Sequence, residues 1–155
     1  MASKVVPYNH PQFTRALFEK HDPPAKAVGK SLLGQLGYSV VDETEAYGSH
    51  DFIVERGGKQ FKVEVEQKMG WKFRRFPFGS HHVSHRKNKS CADIFIQISA
   101  NEKYVAMCPM SVVKTSPVIR KDTCFGTMDE SFFSVSPSNM QYYTWEDGAW
   151  YEETD

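Results

Sequence analysis

The chain has 155 residues, 40% hydrophobic and 25% charged, and its 19 Lys and Arg balance its 19 Asp and Glu. That length suits one domain with a buried core, and the composition excludes collagen-like, low-complexity and disulfide-rich classes. The net charge of zero hides a segregation. No Asp or Glu occurs from Lys68 to Ala92, whereas eight acids and no Lys or Arg fall between Asp122 and Asp155.

No uncharged apolar run approaches the ~20 residues that span a bilayer, and the N-terminus, MASKVVPYNH, lacks a signal-peptide core. A cytoplasmic location and no membrane partner are expected. Cys91, Cys108 and Cys124 are odd in number and form no CxxC, which fits a reducing compartment.

In chain order, the first predicted element is a short helix over His10 to Lys20. Asp22-Pro23-Pro24 reads as a second helix start, with Asp22 as N-cap and proline in the first turn. Val28, Leu32 and Leu36, supported by Leu33, share one face of this helix, and Gly37 stands where a C-terminal cap belongs. A strand at Tyr38 to Val41 and a polar connection through Gly48 and Ser49 lead to the strongest local signal, a hairpin. Its strands are 51 to 56 and 59 to 68, joined by Gly57-Gly58, a pair that suits the primed two-residue turns. A basic segment (69 to 90) follows, then strands at Ala92 to Ser99 and Tyr104 to Cys108 flanking a turn at Ala100 to Glu102. A short helix or loop is expected at Met110 to Thr115, a strand at Phe132 to Val135, and an aromatic, acidic segment over 122 to 155. Residues 1 to 155 form one domain with its core at about 24 to 108.

A two-residue loop at Gly57-Gly58 pairs Arg56 with Lys59 and, continuing, Asp51 with Glu64. Alternation then projects Asp51, Glu64, Glu66 and Lys68 from one face, and Phe52, Val54, Phe61, Val63 and Val65 from the other. Opposed like charges cost about as much as a good cross-strand pair contributes, ~0.2–1 kcal/mol, so Asp51 facing Glu64 needs compensation. Asp51 and Glu66 are diagonal neighbours roughly 7–8 Å apart, close enough to share one ion. Oxygen ligands with positions left for water and phosphate suit Mg²⁺ or Mn²⁺, and Lys68 would stand beside that ion. A solvent-facing sheet surface of mixed charge is the bland alternative.

The order helix, strand, Asp-bearing strand, Glu-x-Lys strand resembles the PD-(D/E)XK nuclease superfamily. The matching residues are Gly37-Tyr38-Ser39-Val40, Ser49-His50-Asp51 and Val63-Glu64-Val65-Glu66-Gln67-Lys68. The resemblance covers about Pro24 to Lys68, with Ala92 to Cys108 as following core strands. It implies an α/β fold with a restriction endonuclease-like core, a central mixed sheet flanked by helices, and Mg²⁺-dependent phosphodiester hydrolysis in DNA, with resolvase-like, structure-selective cleavage and sequence-specific cleavage both left open. Carried over by position, Asp51 and Glu66 are metal ligands, the Gln67 carbonyl is a backbone ligand and Lys68 is the catalytic lysine. Two positions depart from the pattern. His50 stands where the motif has Pro, and the helix carries Lys26 and Lys30 where many resolvase-like members have Glu; Glu64 is the acid that could replace it. Duplex cleavage by such a subunit implies a homodimer. RNA stays open as a substrate, and the competing class is a non-catalytic nucleic-acid-binding module on a nuclease fold.

The basic segment supplies the expected nucleic-acid contacts, namely Lys72, Arg74, Arg75, His85, Arg86, Lys87 and Lys89 on phosphates; a solvated basic loop is the alternative. Trp71, Phe73, Phe76 and Phe78 alternate with cations as in a stacking platform, though core packing of these rings is the commoner outcome. His81, His82, His85 and Cys91 are zinc-binding types without the tight Cys pairs of structural sites. The terminal aromatics and acids could cover the basic groove or pair with a second subunit.

Overall fold

The computed structural model describes residues 2–5, 24–44, 50–122 and 129–154. The helix expected at 10 to 20, the Asp22 cap, Gly48, Ser49 and Cys124 lie outside them. Among the described residues, two sheets and two α-helices make an α/β architecture with a mixed sheet. In chain order the elements are β1 (Ala2–Val5), α1 (Pro24–Gln35), β2 (Ser39–Asp42), β3 (Phe52–Arg56), β4 (Lys59–Lys68) and β5 (His81–Ser84). They continue with β6 (Ile94–Ser99), β7 (Tyr104–Pro109), α2 (Met110–Lys114), β8 (Val118–Asp122), β9 (Asp129–Val135), β10 (Gln141–Glu146) and β11 (Ala149–Thr154). The main sheet runs β1-β11-β10-β7-β6-β4-β3-β2, and a smaller one runs β5-β9-β8.

The β3/β4 hairpin has the register expected from its turn, Arg56 opposite Lys59 through Phe52 opposite Val63. Gly57 and Gly58 have φ of 61° and 79°, left-handed values that glycine adopts without a Cβ penalty. β4 outruns its partner. Its first half pairs with β3, and its second half, Val63 to Lys68, runs parallel to Ile94–Ser99 of β6.

Alternation gives the main sheet two buried faces. Val28, Leu32 and Leu33 of α1 pack on Phe52, Val54, Val63, Ile96 and Ile98, and each fully buried leucine contributes about 1.5–3 kcal/mol. The opposite face, with Phe95, Ala106 and Cys108, meets Trp71, Val83, Phe133 and Val135 together with Met110 and Val113 of α2. This second face is thus covered by a small sheet and a five-residue helix, where a sheet flanked by helices was expected. β5 and β8 were not anticipated, because β5 lies inside the basic segment and has only four residues.

The acidic, aromatic C-terminus is a β10/β11 hairpin inside the main sheet. Trp150 is fully buried; its backbone N–H donates to Gln35 Oε1 at 2.8 Å and its indole N–H to Ser31 Oγ at 3.1 Å. These bonds fasten the last strand to α1. Among the described residues Cys91 and Cys108 are free thiols, and no helix is long and apolar enough to cross a membrane.

Candidate functional site

Parallel pairing sets Glu64 beside Phe95, Glu66 beside Gln97 and Lys68 beside Ser99. Glu64, Glu66 and Lys68 therefore rise from the face covered by the small sheet, opposite α1. Asp51 behaves differently from the expectation. The ladder stops at Phe52 and Val63, and the Asp51 N–H donates to the Val63 carbonyl at 2.8 Å. The Asp51 carboxylate turns into the edge that β4 presents beyond β3 and accepts the Val65 N–H at 2.7 Å. It completes the ladder there, which removes the direct opposition to Glu64.

Glu64 is only 6% exposed. Its Oε1 accepts from Lys87 Nζ at 2.6 Å, and its Oε2 is a buried oxygen with no partner among the described residues. Such an oxygen is costly to bury unless a cation or donor meets it. Glu66 Oε1 accepts from Gln97 Nε2 at 3.0 Å. Burial pushes the Glu66 carboxyl above the ordinary carboxylate range, an effect that the Gln97 hydrogen bond and the charges of Lys87 and Lys68 only partly offset and the Glu64 charge reinforces.

Behind Glu66 runs a directed hydrogen-bond chain. The Gln97 amide nitrogen is spent on Glu66, so Gln97 Oε1 must accept, and it does so from His81 Nδ1 at 2.7 Å. His81 Nε2 is left as the acceptor for the Tyr142 hydroxyl, also at 2.7 Å. Burial holds both ends in these forms: it lowers His81 to about 4 and pushes the Tyr142 phenol up. His81 and Gln97 have no exposed surface, and His81 stacks on Phe76 with centroids 3.6 Å apart. The chain orients the Glu66 carboxylate from behind.

The remaining expected contacts separate into distinct groups. Arg74 is held bidentately by Glu153 at 2.6 and 2.8 Å, Arg86 donates to Glu130 at 3.2 Å, and Lys87 is on Glu64. His85 lies against Phe133 and, with Arg86 and Lys89, lines a cavity of about 370 Å³. Lys72, Arg75 and Lys89 are exposed. Gln67 donates weakly from its side chain to the Ser99 and Ala100 carbonyls at 3.4 Å. His81, His82 and His85 meet different groups, Gln97, Phe132 and Phe133, and with Cys91 they form no cluster among the described residues. On α1, Lys30 is buried, pairs with Glu43 at 2.7 Å and lies 5.5 Å from the Phe52 ring. It is on the sheet face opposite Glu64.

Among the described residues, no group of three or more His, Cys, Asp and Glu forms a metal cluster. The donors still fit a hard divalent cation in kind. Mg²⁺ is commonly held by one or two carboxylates and takes its other oxygens from water and phosphate; here Glu64 supplies an unpartnered buried oxygen and Glu66 an oriented carboxylate beside it.

Gln97, Tyr142 and the Lys87 partnership were not anticipated from the sequence. A single amide inside IFIQIS was the one available sign, because a polar side chain in a buried strand needs a buried partner. Comparisons of the chain with family models, with curated proteins and with solved structures found no match.

Proposed function

We propose that this chain is a metal-dependent nuclease that hydrolyses phosphodiester bonds, on a hairpin like that of the PD-(D/E)XK enzymes. The observation that carries the reading is the unpartnered, buried Glu64 Oε2 beside the oriented carboxylate of Glu66, with Lys68 next on the same strand face. Glu66 and Asp51, with Glu64 and the Gln67 carbonyl, would hold Mg²⁺ or Mn²⁺. A cation held there lowers the pKa of a bound water and polarises the phosphorus. Glu66 keeps a fixed direction through Gln97, His81 and Tyr142, and Lys68 offsets charge that develops on the phosphoryl oxygens. Cutting both strands of a duplex requires a second site, which a homodimer supplies.

A second reading, a non-catalytic nucleic-acid-binding module, is favoured by two observations. Lys87 already neutralises Glu64, and Asp51 is engaged with the β4 backbone. Incubation of supercoiled, linear, single-stranded and branched DNA with Mg²⁺ or Mn²⁺ decides between them. Wild type should cut at least one substrate, and Asp51→Ala and Lys68→Ala should lower the rate by on the order of 10²- to 10³-fold. Binding without metal-dependent cleavage would establish the module instead.

A further inference from the structure

Exposed large apolar side chains are few among the described residues: Val41, Met69, Phe73, Phe78 and Val118. Three of the five lie between Met69 and Phe78, in the segment that leaves β4 directly after Lys68. Phe73 is 72% exposed and Met69 64%. Trp71 and Phe76 of the same segment go into the core, so the four rings divide into two that pack and two that face water.

The exposed rings stand on an anchored backbone. The Trp71 indole N–H donates to the Phe73 carbonyl at 2.7 Å, Asn101 Nδ2 donates to the Lys72 carbonyl at 3.2 Å, and Arg74 is fixed by Glu153. Phe78 lies against Gly70, where a Cβ would come within 2.9 Å of its ring, and it meets Phe76 edge-on with centroids 5.5 Å apart. Lys68 Nζ stands 5.1 Å from the Phe78 centroid, which ties the ring to the candidate site. Arg75 and Phe78 line a cavity of about 410 Å³, and Lys72 and Arg75 are exposed cations with no ion pair among the described residues.

Exposed rings on an anchored backbone, interleaved with cations that make no ion pair among the described residues, match one occupant, an unpaired stretch of nucleic acid, whose bases stack while its phosphates meet the cations. A duplex keeps its bases stacked inside and offers these rings little. We infer that Phe73 and Phe78, with Lys72 and Arg75, form a binding platform for single-stranded nucleic acid that delivers an unpaired strand to the site at Lys68. This inference deepens the nuclease reading and rests on it for the identity of that site.

The test is fluorescence anisotropy of the full chain with labelled dT15, rU15 and a 15-base-pair duplex, in EDTA so that no cleavage intervenes. Single strands should bind at least tenfold more tightly than duplex. Phe73→Ala and Phe78→Ala should each weaken dT15 binding by about tenfold and leave the salt dependence unchanged, whereas Phe73→Trp should retain it. Arg75→Ala should lower the slope of log affinity against log salt by about 0.7. Thermal unfolding of each variant separates lost stacking from lost folding, since the Phe73 ring contributes little to the core. Comparing dT15 with rU15 tells DNA from RNA as the source of the strand. Equal or tighter duplex binding, or unchanged dT15 binding by both alanine variants, would overturn the platform. Tight binding of this kind without cleavage leaves the platform standing and removes the nuclease reading; cleavage with both variants unaffected does the reverse.

Discussion

Replacing His81 with Gln removes the one group in the chain behind Glu66 that titrates on the acid side of neutrality and keeps a side chain that can donate and accept. The folded protein holds the imidazole neutral down to about 4, against an ordinary value of 6.5, chiefly because burial disfavours its charged form. The unfolded chain takes up a proton as pH falls through 6.5, and the folded chain does so only near 4. Stability from this group is therefore fully present above 6.5 and is lost on acidification, at about 1.4 kcal/mol per pH unit and about 3 kcal/mol across the window. Glu66 acts with the opposite sign: its carboxyl is raised in the fold, so it adds stability as pH falls through its folded value. The difference between wild type and variant cancels that contribution to first order. Urea denaturation at pH 7, 6, 5 and 4.5 should find wild type more stable by roughly 1–2 kcal/mol at pH 7, the worth of one or two hydrogen bonds. The gap should close and then reverse as the pH approaches 4. A gap that stays constant from pH 7 to 4.5, or an imidazole that titrates near 6.5 in NMR, would refute the assignment of a neutral, doubly bonded His81.

Two further predictions concern the site and the turn. Lys87→Ala leaves the Glu64 carboxylate nearly buried and uncompensated, which should cost about 3 kcal/mol; millimolar Mn²⁺ should raise the melting temperature of this variant more than that of wild type, and equal shifts would mean that Glu64 does not meet the ion. Gly58→Ala forces a Cβ into φ of 79° and should cost roughly 1 kcal/mol, read as a lower urea midpoint at unchanged slope; unchanged affinity for dT15 would confirm that the turn acts only through register.

Much of the fold was legible because its signals are local. The stripe of Val28, Leu32 and Leu36, supported by Leu33, marked α1, which ends at Gln35, and Gly57-Gly58 with period-two alternation set the β3/β4 register, because a hairpin's pairing follows from its own turn. Those two features brought Glu64, Glu66 and Lys68 to one face. Asp51 was assigned to that face as well, but the ladder ends one residue earlier and its carboxylate caps the β4 edge. A ladder's end depends on what else competes for the edge, and alternation does not contain that information.

The surroundings of the site depend on pairings that cross long stretches of chain. Gln97 meets Glu66 only because β6 runs parallel to β4, and Tyr142 reaches His81 across 61 residues. Arg74 and Arg86 looked like phosphate ligands within an acid-free segment, yet Glu153 and Glu130 come from the distant acidic C-terminal segment to meet them. Within Trp71 to Phe78, alternation with cations could not say which rings would be buried, because that was decided by the second sheet closing over Trp71 and Phe76. By itself the sequence determined the strand that bears the carboxylates and the face they share; tertiary packing alone decided what touches them, since burial and charge pairing belong to the whole fold.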